Sequence, residues 1–102
     1  MTYYSIKVQI PFHLQTLGQA EPEVQLALPG PPTARNVVAA LETKYPGLQG
    51  AVIDPLTGKR RPLLRYFACQ EDWTFEAPDT PLPASIAEGK EPFIILGAVA
   101  GG

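Results

Sequence analysis

Two proline–glycine clusters, Pro29-Gly30-Pro31-Pro32 and Pro46-Gly47, bracket the segment with the clearest helical pattern and confine the main helix to residues 34–45. Proline removes a donor that a helix interior needs, and the residue before it disfavours helical backbone. Thr33 is well suited to cap the first turn. Val37, Val38, Leu41 and Tyr45 recur at helical spacing on one side, with Arg35, Asn36, Glu42 and Lys44 mostly on the other. One amphipathic helix must bury its stripe against another layer, and the rest of the chain offers strands.

Tyr4, Ile6, Val8 and Ile10 alternate with Tyr3, Ser5, Lys7 and Gln9, the period of a strand with one buried face, and Pro11 ends it. Residues 12–22, with Gly18 and Pro22, predict a turn that leads to a hairpin partner in which Val24, Leu26 and Leu28 alternate with polar neighbours. Residues 48–53 are too short to classify, and residues 54–62 predict a loop carrying Lys59-Arg60-Arg61. Leu64, Tyr66 and Ala68 alternate with Arg65, Phe67 and Cys69 in a third strand. Glu71-Asp72 is expected to turn the chain, and Trp73-Thr74-Phe75 to pair back as a short fourth strand. Residues 77–91 predict a loop with a helical turn at residues 85–87, and the apolar run Phe93-Ile94-Ile95-Leu96 a central strand covered on both faces or nearly so.

First and last strands lying side by side cannot form a hairpin, so a parallel pairing through a crossover is expected. The class is α+β: a β-grasp (ubiquitin-like) mixed sheet of four or five strands with one main helix on one face. Residues 1–97 form the domain and residues 98–102 a flexible tail.

Composition narrows the function. With 45% apolar and 18% charged residues the 102-residue chain can bury a core and leaves the disordered class. A net charge of -2 supplies no basic footprint for nucleic acid. Lys7 and Gln9 interrupt the first apolar stretch, which lacks the pattern of a secretory signal, and residues 93–100 are far short of the ~20 residues of a spanning helix. A cytoplasmic location without membrane attachment is the expectation. One cysteine, Cys69, and one histidine, His13, provide neither a disulfide framework nor a metal ligand set.

No nucleophile, base and orienting group can be assembled from these residues, so an enzyme is not expected. His13 lies in the predicted turn, and Cys69 reads as a small packing residue with no neighbouring cation to activate it. No glycine loop precedes a helix to cradle phosphate, so no bound nucleotide or other cofactor is expected. Glu71, Asp72, Glu76, Asp79, Glu88 and Glu91 hold six of the ten acidic residues and suit either solvent or a basic partner, and the basic triplet Lys59-Arg60-Arg61 suits either a partner contact or, as is usual for a charge run in a loop, solvent.

The remaining signal is the end, Ala98-Val99-Ala100-Gly101-Gly102. At ~7% average glycine usage, two terminal glycines arise by chance in roughly 0.5% of chains. A carboxylate must be activated before it can be transferred, most simply as an acyl-adenylate, and it must then be threaded into another protein's nucleotide site. Ala98, Ala100, Gly101 and Gly102 are slender enough for that passage, and Val99 offers one apolar anchor.

These pieces resemble the MoaD/ThiS family of ubiquitin-like sulfur carriers, and most of all its CysO-type members in cysteine biosynthesis. The resemblance rests on TARNVVAALETKY at residues 33–45 followed by Pro46-Gly47-Leu48, and on Ile53-Asp54-Pro55 and Glu71-Asp72. It continues in Ser85-Ile86-Ala87-Glu88-Gly89 before the last strand and in the closing Ala98-Val99-Ala100-Gly101-Gly102. It implies that an E1-like adenylating and sulfurtransferase enzyme uses ATP on the Gly102 carboxylate, that a thiocarboxylate results, and that this protein is a substrate rather than a catalyst. It also implies a sulfur-acceptor enzyme, cysteine synthase-like or molybdopterin synthase-like, and a JAMM-type metalloprotease that trims the product. Cys69 stands where many members carry asparagine, and the twelve prolines suggest altered loops. Phe67, outward on the helix-free side, is a candidate docking residue. A protein modifier joined to lysine through Gly102 and a non-covalent interaction module are the competing readings.

Overall fold

The computed structural model describes residues 3–97. Its elements are β1 (Tyr4–Gln9), α1 (Phe12–Gly18), β2 (Glu23–Leu28), α2 (Ala34–Lys44), a 3-10 turn (Pro46–Leu48), β3 (Leu64–Ala68), β4 (Glu71–Asp72), α3 (Ala84–Ala87) and β5 (Phe93–Gly97). One mixed sheet runs in the order β2-β1-β5-β3-β4. β1 pairs antiparallel with β2 and parallel with β5, while β3 pairs antiparallel with both β5 and β4. The first and last strands are therefore adjacent and parallel, as the sequence predicts, because the whole chain between them serves as the crossover.

Alternation decides which face is dry. Ile6, Val8, Val37, Leu41, Phe93 and Ile95 have no accessible surface, and Val24, Leu26 and Leu28 of β2 are buried while Glu23, Gln25 and Ala27 are exposed. Each such large side chain contributes about 1.5–3 kcal/mol when fully buried. Helix α2 presents Val37, Val38 and Leu41 to that core. Its first turn is closed by Thr33, whose Oγ1 accepts from the Asn36 amide at 3.1 Å. Replacing Thr33 with alanine is expected to lower stability by about 1 kcal/mol in urea unfolding, the usual worth of a side-chain cap. An unchanged midpoint would show that the cap contributes nothing.

Two expectations are corrected. Residues 12–22 do not form a simple turn: they contain α1, started by the Pro11 carbonyl, which accepts from the amides of Leu14 and Gln15, both at 3.0 Å. This helix buries Leu14 and closes on Gln19 in the left-handed region, φ 53°. With one buried side chain it has no helical stripe to read. Tertiary contact holds it instead, since a Cβ on Gly47 of the 3-10 turn would lie 2.6 Å from the Leu17 carbonyl. Only a glycine lets the two backbones meet this closely.

The second correction concerns the β3–β4 hairpin. Its turn is Cys69-Gln70, with φ of 52° and 67°, so Glu71 and Asp72 are strand residues opposite Ala68 and Phe67. Two left-handed residues match the twist of a tight hairpin but are normally signalled by asparagine or glycine. Cys69 therefore closes a turn, half-buried, rather than the end of a strand. Trp73-Thr74-Phe75 forms no strand. Its Trp73 amide donates to the Tyr66 carbonyl at 2.8 Å, and Thr74 Oγ1 accepts from the Tyr66 amide at 3.0 Å, a side chain standing in for a ladder partner.

Candidate docking face and tail root

In β5, Phe93 and Ile95 point into the core, so Ile94 and Leu96 must point to the other side of the sheet. Leu96 is 47% exposed. The last strand is thus central yet covered on one face only, contrary to the expectation from its unbroken apolar run. Helix α2 covers the face to which the fully buried side chains turn, and the opposite face is free of it.

Strand register assembles that opposite face. Phe67 lies beside Ile94 and Arg65 beside Leu96 across β3 and β5, and Gln9 of β1 flanks Ile94 on the other side. Phe67 is half-buried there, at the position the sequence predicts. A shallow depression of about 220 Å3 adjoins it, walled by Gln9, Pro22, Glu23, Ile94 and Leu96. Phe75, 78% exposed, extends the apolar surface beneath the guanidinium groups of Arg60 and Arg65, each 5.6 Å from its ring centroid. Asp72 lies opposite Phe67, and hydrogen bonds from Thr74, aided by the charges of Arg65 and Arg60, hold its carboxyl below the ordinary range. The result is an apolar centre with cationic flanks, a composition common in partner interfaces.

Arg60 belongs to the basic triplet, two of whose members, Arg60 and Arg61, are half-buried rather than fully solvated. Arg60 Nη1 donates to the carbonyls of Arg61 and Leu64, while Arg61 donates to the Gly50 carbonyl at 2.7 and 3.0 Å and reaches Asp54 at 3.7 Å. These arginines pin the long loop between α2 and β3. Ile94, Leu96, Phe75 and Arg65 were not legible as site residues, because the β3–β5 register and the stacking of Arg60 and Arg65 on Phe75 bring them together only in the folded chain. Period-two alternation inside residues 93–96 was hidden by their uniform apolarity.

His13, expected in a turn, is an exposed residue of α1, and its ring lies over Gly97. A Cβ at Gly97 would sit 2.5 Å from Cε1 of the exposed His13 side chain, so a larger residue there requires the imidazole to swing aside. Ala98, Val99, Ala100, Gly101 and Gly102 lie outside the described residues. The acidic residues of the 71–91 segment do not gather: Asp79 pairs with Arg35 at 2.7 Å and Glu88 with Lys90 at 3.3 Å. Among the described residues no three histidine, cysteine or acidic side chains cluster to hold a metal. Nor is any helix among them long and apolar enough to cross a membrane. Burial pushes the Tyr66 hydroxyl up to about 12.

No protein-family model matches the chain, and no curated protein matches it by sequence. Solved structures do match over nearly its whole length. SAMP1 from Haloferax volcanii is 18% identical with a TM-score of 0.74, covering 96% of this chain and 99% of that one. CysO from Mycobacterium tuberculosis is 26% identical with a TM-score of 0.70, covering 91% and 98%. The chain is a ubiquitin-like β-grasp protein. A third match is the Amycolatopsis orientalis BexX/CysO complex, at 23% identity and a TM-score of 0.72, covering 94% of this chain and 98% of that one. The resemblance read from the sequence is thus borne out in the fold, and both a modifier and CysO proteins stand among the structural neighbours of this β-grasp domain.

Proposed function

We propose that this protein is a sulfur carrier whose Gly102 carboxylate is the working group. The observation that carries the reading is the position of Ala98-Val99-Ala100-Gly101-Gly102, which follows a central strand whose outer side chains belong to the apolar face. A partner seated on Phe67, Ile94 and Leu96 would have the tail within reach of its own active site. In this reading an E1-like enzyme transfers AMP from ATP to the carboxylate with release of pyrophosphate. A sulfide-equivalent donor then attacks the acyl carbon and displaces AMP, leaving the thiocarboxylate. The domain orients and the tail threads, so the protein catalyses nothing itself and binds no cofactor.

Ala98, Val99, Ala100 and Gly101 form the threading tail, and the cytoplasm is the compartment in which ATP and such enzymes meet. The thiocarboxylate sulfur is nucleophilic and passes to a substrate held by a cysteine synthase-like or molybdopterin synthase-like acceptor enzyme, with a JAMM-type metalloprotease trimming the product in the cysteine-forming case. The solved complex of a CysO with BexX supports the expectation of a protein partner. A second reading, a modifier joined to lysine through Gly102, is favoured by the structural likeness to small archaeal modifier proteins.

Intact mass separates them. Protein with a free C-terminus, purified from cells containing its native partners and carrying Cys69→Ala, is expected to show a species heavier by about 16 mass units that a thiol-reactive reagent alkylates, unlike methionine sulfoxide. Higher-mass conjugates in extract that vanish without Gly101 and Gly102, with no alkylatable species, would establish the modifier instead. If neither forms with ATP, a sulfur donor and the activating enzyme present, both readings fall.

A further inference from the structure

Two buried polar side-chain atoms have no hydrogen-bond partner among the described residues, the hydroxyl of Tyr66 and Nε1 of Trp73. Buried polar groups are nearly always paired, so such an orphan calls for a reason. Tyr66 is 5% exposed and borders a cavity of about 170 Å3 between α2 and the loop that leads from it to β3. Ala34, Val38 and Ala39 of the helix form one wall, and Ile53, Gly58 and Pro78 lie across from them. Tyr66 is the only strand residue in the lining, so its ring reaches the cavity with the far, phenolic end. The hydroxyl has under 1 Å2 of accessible surface, so solvent does not pair it, and a ligand reaches it through small shifts of the wall. Gly58 leaves room for such shifts, since a Cβ there would meet nothing within 4 Å.

The lining selects the ligand. Most of it is apolar, and its two charged members are already engaged: Arg35 pairs with Asp79 at 2.7 Å, and Glu42 accepts from the Gly50 amide at 3.1 Å. Their charges are opposite, so the cavity has no unpaired charge with which to repay the desolvation of an ion, and it favours a neutral molecule. Size narrows the choice further, because a dry apolar cavity of about 150 Å3 accepts benzene. Burial pushes the Tyr66 hydroxyl up to about 12 and so keeps its proton in place. The hydroxyl is therefore a donor, and the ligand has to bring the acceptor.

We propose that this cavity is a binding site for a small, neutral, chiefly apolar molecule of about one ring's size, whose carbonyl oxygen accepts a hydrogen bond from the Tyr66 hydroxyl. The site is built wholly from residues of the domain. Ile53, on its wall, is bridged to Arg60, whose guanidinium lies over Phe75 beside the helix-free face. An occupant thus sits against the segment that carries one cationic flank of that face.

The test is a titration of the full chain with cyclohexanone and, separately, with benzene, followed by amide and methyl chemical shifts. Both compounds are expected to move signals of residues 34–42 and 53–60, saturating in the millimolar range that suits so small a ligand. Tyr66→Phe is expected to weaken cyclohexanone about tenfold, the effect of leaving its oxygen unpaired. Benzene, which has no acceptor, should bind both proteins equally, a contrast that a mere loss of packing would not produce. The melting temperature of Tyr66→Phe should not fall, because the hydroxyl it removes has no partner in the unliganded protein. Absence of shifts from either compound, shifts confined to Phe67 and Leu96, or equal affinity of cyclohexanone for the two proteins would each overturn the proposal. So would a lowered melting temperature in Tyr66→Phe, which would show that the hydroxyl is already paired.

Discussion

Deleting Gly101 and Gly102 is expected to abolish activation of the C-terminus while leaving the melting temperature unchanged. Under the proposed function the deletion moves the carboxylate back by two residues, or about 7 Å of extended chain. It also places the bulkier Ala100 at the reacting position. A misplacement of even 1 Å can cost on the order of a hundredfold in rate, so a loss of at least that size is expected here. The domain should not feel it, because β5 ends at Gly97 and the core is closed by residues upstream. Pyrophosphate exchange by the activating enzyme measures the first effect and thermal unfolding the second. Activation that persists in the shortened chain would remove Gly102 from the mechanism. A lowered melting temperature would show that the tail packs on the domain.

Phe93→Ala is expected to have the largest effect on stability, a loss of about 4 kcal/mol within the range for buried phenylalanine truncations. Phe93 has no accessible surface and opens the central strand, opposite Val8 of β1 and Ala68 of β3. Its ring packs on Tyr66, the centroids 5.2 Å apart. Removing it leaves a cavity bounded by two neighbouring strands that cannot close without breaking register. Leu96→Ala, three residues along the same strand, should cost less than about 1 kcal/mol, because Leu96 is already 47% exposed. Urea unfolding of both variants checks the contrast. Equal losses would mean that the two faces of β5 are equally packed, against the burial pattern. A domain of this size has about 5–15 kcal/mol in total, so Phe93→Ala takes it near the edge of folding at ambient temperature.

That contrast also shows what kind of information the chain displays openly. The face of β1 was legible because Ser5, Lys7 and Gln9 interleave with apolar residues. The face of β5 was not, because four successive apolar residues carry no period. Its exposed side appears only once α2 is seen to cover one face. The docking candidate Phe67 was legible for the same reason as β1, through Arg65 and Phe67 alternating with Leu64, Tyr66 and Ala68. Its neighbours Ile94, Leu96 and Phe75 belong to distant parts of the chain, and no local pattern links them. The basic triplet looked solvated because sequence cannot show that Arg61 reaches the Gly50 carbonyl.

The sequence by itself determined the helix and its cap, the strand pairs that alternate, the crossover that makes first and last strands parallel, and the slender closing residues. All of these rest on short-range chemistry: proline's missing donor, the side-chain period of a half-buried strand, and the small size of alanine and glycine. Only the tertiary structure decided that residues 12–18 are helical, that Cys69 and Gln70 take left-handed backbone in a hairpin turn, and that His13 lies over Gly97. It alone shows which side of β5 faces out and that Tyr66 reaches a cavity beside α2. The physical reason is common to all of these. Each conformation is locally indifferent or unfavourable and is held by contacts with residues remote in sequence, whose energies no window of neighbouring residues contains.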